Sequence, residues 1–210
     1  VPRAKAFNPD EALDRAVELF WRRGYDGTSM AKLLEFMGIS RQSLYDTFGD
    51  KRSLFLSVMD RYQERTHETL EDIFAKHDSG LAGIHAVFDW VLGAVVEHPD
   101  HRSCLMANSA LELGQRDQAV RERVCEHLQR VEERFFTALA QAQASGELRS
   151  HQDLRALARL LTNAIHGLGV LSRGGLPSAT LRDSVGATLA ALGGVAREAK
   201  RHEPERSLQT

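Results

Sequence analysis

Arg41, Gln42 and Ser43 follow one another in the stretch GISRQSLYDTFGDK, residues 38–51. The guanidinium of Arg41 can fork onto O6 and N7 of guanine, Gln42 can read adenine or accept from cytosine, and the small Ser43 permits close approach. On a helix Leu44 and Phe48 share one face, Arg41 borders it, and Gln42, Ser43 and Asp46 point away. Tyr45 stands at the edge of that face, where its ring can pack while its hydroxyl meets a phosphate. Asp46 is awkward, because an exposed acid repels phosphate; it either orients Arg41 or Lys51 or accepts from a cytosine amino group. Thr28 and Ser29 open the preceding helical pattern, where unsatisfied backbone N–H groups already favour an anion. Lys51 adds a cation at the next helix start, and Arg3 and Lys5 form a short arm ahead of the first helix.

A second chemistry centres on Cys104. At a helix start, with Arg102 nearby, its thiolate is favoured and it can sense an oxidant or electrophile; as a small apolar side chain it can equally fill a core. His98, His101 and Cys104 recur at spacings of three, but Pro99 breaks the helix there and no fourth ligand follows, so neither a metal nor a cofactor is expected. Asn108, Asn163 and His166 are polar groups on otherwise apolar helix faces, and each needs a partner inside. His166 can instead serve an interface between chains, with Gly167 and Gly169 allowing close packing.

The elements that must position these groups are helices. Asn8 and Pro9 cap and begin the first, Leu13, Val17, Phe20 and Trp21 give its apolar face, and Gly24 closes it. The second follows the Thr28-Ser29 cap, with Met30, Leu33, Leu34 and Met37, and ends at Gly38. Ile39 fills the turn and Ser40 caps the third. A turn of three residues between two short helices is the helix-turn-helix format, in which the second helix can enter a major groove. A fourth helix runs from Asp50 to about 77, its polar middle QERTHET suggesting a connector. Further helices are expected at about 80–98, 102–113, 117–145, 151–171 and 178–198, and the polar segment 201–210 is expected to fray.

The 210 residues carry 27 Lys and Arg against 29 Asp and Glu, a net charge of -2, which excludes a histone-like coat acting through bulk phosphate attraction. Residues 1–51 hold eight basic and eight acidic side chains, so Asp10, Glu11, Asp14 and Glu18 must face away from any duplex that Arg41 approaches. Two cysteines, Cys104 and Cys125, form neither a disulfide framework nor a zinc-finger spacing. With no apolar run long enough to cross a bilayer and no signal segment, a cytoplasmic setting and no membrane contact are expected. The glycine-rich, nucleophile-elbow and zinc-protease motifs of enzymes are missing, so an enzyme is not expected.

The run AVELFWRRGYDGTSMAKLLEFMGISRQSLYDTFGDKRSLF, residues 16–55, resembles the TetR-type (TetR/AcrR) family of bacterial transcriptional regulators. Ala16, Leu19, Phe20, Gly24, Tyr25, Thr28 and Ser29 stand in the family's opening pattern, and Gly38, Ser40, Leu44, Tyr45, Phe48, Lys51 and Leu54 in its continuation. Residues 102–114, RSCLMANSALELG, resemble a subset with a Cys-Leu-x-x-Asn motif, here Cys104, Leu105 and Asn108, with Glu112 following.

The resemblance implies an all-α homodimer of about nine helices. A helix-turn-helix domain over 1–50 would bind double-stranded operator DNA, and an effector-binding and dimerisation domain over 51–200 would precede the polar tail. It makes Arg41, Gln42, Ser43 and Tyr45 base-reading residues, and Thr28, Ser29, Thr47 and Lys51 phosphate contacts. Dimerisation would use the last two helices, through Leu161, Leu168, Leu181, Val185, Leu189 and Leu192. A small-molecule effector would occupy an apolar cavity among Phe88, Trp90, Leu92, Cys104, Leu105, Asn108, Leu128, Phe135, Asn163 and His166. The resulting expectation is a ligand-responsive repressor. Thiol sensing through Cys104 is a second effector mode, and a helical interaction protein that has lost DNA binding is the alternative.

Overall fold

Asn8 sits in extended conformation and accepts from the backbone N–H of Asp10, and Pro9 follows in the position where a missing N–H costs nothing. From there the described residues are helical nearly throughout. The computed structural model of the chain describes residues 7–97, 104–149 and 151–197. Arg3 and Lys5, the segment containing His98, Pro99, His101, Arg102 and Ser103, and the tail 201–210 lie outside the described residues.

Nine helices occupy the described residues: α1 Pro9–Arg23, α2 Met30–Met37, α3 Arg41–Phe48, α4 Lys51–Ala75, α5 Gly80–Glu97, α6 Leu105–Leu113, α7 Gln118–Ala144, α8 Leu154–Arg173 and α9 Ser178–Arg197. The all-α expectation holds, and the caps explain the boundaries. Ser29, Ser40, Asp50, Asp117 and Asp153 each accept backbone N–H groups at the start of α2, α3, α4, α7 and α8. The sixth helix starts at Leu105, with Cys104 before it, and the eighth runs on to Arg173.

The apolar faces bury into two clusters. One joins α1 to α4 through Phe20, Leu33, Met37, Leu44, Phe55 and Met59, and takes in Leu105, Met106 and Leu113 of α6 with Val120 and Val124 of α7. The other joins the rest of α4 and α7 to α5, α8 and α9 through Phe74, Phe88, Phe135, Leu139, Leu161 and Leu168. α7 therefore serves both. Gly80 lets α5 begin against α7, since a Cβ there would strike the Ala138 carbonyl.

The segment QERTHET lies between the α4 residues of the two clusters, and it is not polar surface throughout. Gln63 and His67 fall at i−7 and i−3 from Leu70, on the face that α4 buries, so both are interior. The dimer residues also need correction: Leu161, Leu168, Leu181, Val185 and Leu192 are in the chain's own core, and Leu189 packs against it. The opposite face of α8 carries exposed Leu160, Val170 and Leu171, with Leu176 exposed in the turn beyond. No helix among the described residues is long and apolar enough to cross a membrane.

Candidate nucleic-acid interface and effector cavity

Gly38 adopts φ 70°, ψ 31° and its N–H closes α2 on the Leu34 carbonyl, a left-handed turn that redirects the chain within two residues. Ser40 then accepts the Ser43 N–H at 3.0 Å, and the Ser40 and Ser43 hydroxyls lie 2.9 Å apart. Leu44 is fully buried and anchors α3 to the core. Arg41, Gln42, Tyr45 and Asp46 are exposed together on the outer side. Gln42 Nε2 donates to Asp46 Oδ1 at 2.7 Å, so Asp46 orients Gln42 rather than Arg41 or Lys51. Tyr45 is 47% exposed, further from the core than expected.

The phosphate set divides. Ser29 and Thr47 remain partly or fully accessible. Thr28 is completely buried and its hydroxyl donates to the Gly24 carbonyl at 2.7 Å, which removes it as a phosphate ligand. Lys51 Nζ donates to the Tyr25 carbonyl at 2.7 Å and lies 4.1 Å from the centre of the Tyr25 ring. Burial lowers its pKa despite the attraction of Asp26 and Glu112. Lys51 is thus first a tie within the fold, its half-buried ammonium keeping two further N–H groups beyond the one that meets the Tyr25 carbonyl. Two of the four acids of α1 are held against α4, Asp14 by Arg61 at 3.0 Å and Arg65 at 2.6 Å and Asp10 by Arg61 at 3.2 Å, whereas Glu11 accepts from Asn8 and Glu18 pairs with Arg22.

Tyr25 joins this unit to α6. Its N–H donates to Glu112 Oε2 at 2.7 Å, and a Cβ on Gly24 would fall on the same carboxylate. Beside it Arg116 pairs with Asp26, and Arg52 Nε and Nη2 donate to the two oxygens of Asp117 at 2.6 and 2.9 Å. The turn between α6 and α7 is consequently clasped to both ends of the helix-turn-helix unit.

An apolar cavity of about 260 Å³ is bounded by Val17 and Trp21 of α1, Tyr62, Arg65, Thr66, Thr69 and Leu70 of α4, Trp90, Val91, Ala94 and Val95 of α5, Cys104 just before α6, His127 and Val131 of α7, and Ile165, His166 and Gly169 of α8. Trp90, Cys104 and His166 line it as expected. Other residues assigned to the cavity lie elsewhere. Phe88 and Phe135 are spent in the C-terminal core, Leu105 in the N-terminal one, and Leu128 packs against the latter. Asn108 is buried but does not line the cavity, Leu92 borders a separate, more open depression, and Asn163 faces outward on the stripe that contains Leu160 and Val170.

Sequence reasoning missed His127, although the signal was present. It stands three residues after Val124 and four before Val131, on the apolar face of α7, and is 1% exposed. Its Nε2 lies 4.0 Å from Cys104 Sγ, and donor atoms of Cys104, His127 and His166 are all within 4.8 Å of one another. Nδ1 of His166 is 2.7 Å from the Thr162 carbonyl and must carry a proton there. Burial pushes the Cys104 thiol up, but hydrogen bonds and positive charge from His127 and His166 outweigh it and hold the thiol well below its ordinary value. Burial pulls His166 down, and Cys104 reverses this, leaving it raised. His67, 5.8 Å from His127 between ring centres, is lowered to about 4 by burial, Arg130 and His127. The buried Nδ1 of His127 has no hydrogen-bond partner among the described residues.

Residues 12–58 match the family model "Bacterial regulatory proteins, tetR family", and residues 80–176 match "Tetracyclin repressor-like, C-terminal domain". The uncharacterized HTH-type transcriptional regulator YezE of Bacillus subtilis (strain 168) is 32% identical over 191 residues, covering 90% of this chain and 98% of that protein. The chain belongs to the TetR family. The HTH-type transcriptional repressor ComR of Escherichia coli (strain K12) is 31% identical over 190 residues, 89% of this chain and 90% of ComR. Among solved structures, a cysteine mutant of the TetR family regulator CifR, complexed with 26-base-pair operator DNA, is 30% identical, with a TM-score of 0.80 over 90% of this chain and 99% of CifR. The two matched TetR-family segments fall on α1 to the first part of α4 and on α5 to α8.

Proposed function

We propose that this DNA-binding TetR-family protein is a ligand-responsive repressor, a cytoplasmic homodimer that binds a palindromic operator and leaves it when a small molecule enters the cavity. The observation that carries the DNA half is the exposed row Arg41, Gln42 and Tyr45 on a helix fixed by the Ser40 cap and by buried Leu44. The relative solved on operator DNA supports the same use of the fold. Arg41, Gln42, Ser43 and Tyr45 would read bases, and Ser29, Thr47 and the backbone N–H groups at the start of α2 would hold phosphates.

Residues 1–50 would form the DNA-binding domain and 51–200 the effector and dimer domain, followed by the polar tail. Two recognition helices must lie roughly 34–36 Å apart to meet successive major grooves. A ligand between α4, α5, α7 and α8 would displace α6 and α4, and Glu112, bonded to the Tyr25 N–H, would carry that shift to the helix-turn-helix unit. The effect is a population shift between dimers that fit DNA and dimers that do not.

A second effector mode is favoured by Cys104 lying in the cavity wall beside two imidazoles. An electrophile admitted to the cavity would alkylate this thiol, as expected of the subset with the Cys-Leu-x-x-Asn motif. Selection of random duplexes by the purified protein tests the whole reading. Enrichment of a palindrome, with release by an electrophile in the wild type but not in Cys104→Ser, supports the thiol mode. A palindrome indifferent to electrophiles supports a reversible apolar ligand. No enriched sequence would favour an interaction protein without DNA specificity.

A further inference from the structure

Three donors from separate parts of the fold converge on one wall of the cavity: Cys104 just before α6, His127 on α7 and His166 on α8. We infer that Cys104, His127 and His166 form a binding site for a thiophilic d10 cation, Zn(II) or Cu(I), and that this ion is an effector of the protein. The inference rests on the reading of the cavity as the effector site.

The donor set defines the ion. One sulfur and two imidazole nitrogens suit borderline and soft metals, whereas Mg(II) and Ca(II) require oxygen. In a tetrahedral Zn(II) site, bonds of about 2.3 Å to sulfur and about 2.0 Å to nitrogen place sulfur and nitrogen about 3.6 Å apart. The Cys104–His127 separation of 4.0 Å needs only a small side-chain movement to reach this value. His166 already has the outer contact common to metal-bound histidines, its Nδ1–H donating to the Thr162 carbonyl. His127 is almost wholly buried, with Nε2 turned to Cys104 and Nδ1 without a hydrogen-bond partner among the described residues, so the ring is expensive to keep inside for packing alone.

Three protein ligands leave one coordination position, and all three residues line the cavity. The ion would draw Cys104 toward α7 and α8. Because Cys104 immediately precedes α6, and α6 carries Glu112 to the Tyr25 N–H, contraction at the metal would move the clasp on the helix-turn-helix unit. One proton leaves the cluster for each ion bound, and no electron is transferred.

The test uses the full reduced chain with Cys125→Ser, which removes the exposed second thiol. Titration with Co(II) as a spectroscopic stand-in is expected to give one ion per chain and a thiolate-to-metal charge-transfer band that Zn(II) abolishes. The band should vanish in Cys104→Ser, and His166→Gln should weaken binding by more than about tenfold, the loss that even outer contacts cause. Absence of the band, or its survival in Cys104→Ser, overturns the site. If Cys104→Ser fails to fold, unchanged affinity in folded His166→Gln overturns it.

Operator affinity is then measured with Zn(II) and, under anaerobic reducing conditions, with Cu(I), which distinguishes the two ions. A change of at least about tenfold, the usual range of allosteric coupling, supports the effector role. Unchanged affinity with both ions bound overturns that role. Failure to select any operator overturns the regulator reading, while the Co(II) titration decides the site independently.

Discussion

Gln42 does not wait for a base with a loose side chain: Asp46 already holds its amide at 2.7 Å. That restraint lowers the entropy lost on contact and fixes which way the amide points. Replacing Gln42 by Ala is therefore expected to change operator preference, costing about 1–3 kcal/mol at one base pair, whereas Thr47→Ala, at a proposed phosphate contact, weakens binding evenly across operators. Binding to a panel of single-base operator variants checks both, and equal losses on every operator for Gln42→Ala would contradict its assignment. The exposed row of α3 was legible in the sequence, because Leu44 and the caps fix its rotation. The inward bonds of Thr28 and Lys51 were not, since a hydroxyl at a helix start and a cation after a turn look the same whether they meet a phosphate or the Gly24 and Tyr25 carbonyls. His127 was readable by the same rule that singled out His166, a polar side chain at an apolar helical position.

At the scale of elements, the turn between α6 and α7 does the joining. Glu112→Ala leaves the part-buried Tyr25 N–H without its acceptor, and a loss of about 1–3 kcal/mol in denaturant unfolding is expected. Asp117 both caps α7 and receives Arg52. Donation from Arg52 holds its carboxyl below the ordinary range against the opposing effect of burial. A lowered folded-state pKa gives stability that is complete above the unfolded value, near 4, and lost as pH falls through the folded value. Stability curves of the wild type and Asp117→Asn should thus separate above about pH 4 and converge below it; a constant gap would show that the charge contributes nothing. Helix boundaries were legible where Asn8, Ser29, Ser40 and Asp50 cap the first four helices, but α8, capped by Asp153 and Gly174, was expected over about 151–171. The pairing of 112 with 25 and of 117 with 52 was not legible, because contacts across so many residues leave no local periodicity.

For the whole molecule, the core positions of α8 and α9 are used up within one chain, and the accessible face of α8 is the one bearing Leu160, Val170 and Leu171. If that face joins two copies, Val170→Asp places an unpaired charge in it. The expected result is a monomer in sedimentation and loss of operator binding by well over tenfold, with helical content retained. A dimer that survives the substitution would place the interface elsewhere. The all-helical class and the order of helices were legible from their periodicity, whereas the rotation of α8 was not: both its faces carry leucines, and only packing against α5, α7 and α9 selects between them.

The contact of Glu112 with the backbone at Gly24 and Tyr25 bears on how such regulators can be recombined. A chimaera joining residues 1–50 of this chain to the effector half of another regulator keeps α3, its caps and its reading side chains. It forfeits the carboxylate at 112 unless the donor supplies an acid in that place, and any residue larger than Gly at 24 closes the space this acid occupies. Portable DNA specificity would then come without portable response: the hybrid would grip its operator and ignore its inducer. Grafting residues 104–117 together with residues 1–52 keeps Glu112, Arg116 and Asp117 opposite Tyr25, Asp26 and Arg52, and makes the exchangeable module discontinuous in sequence.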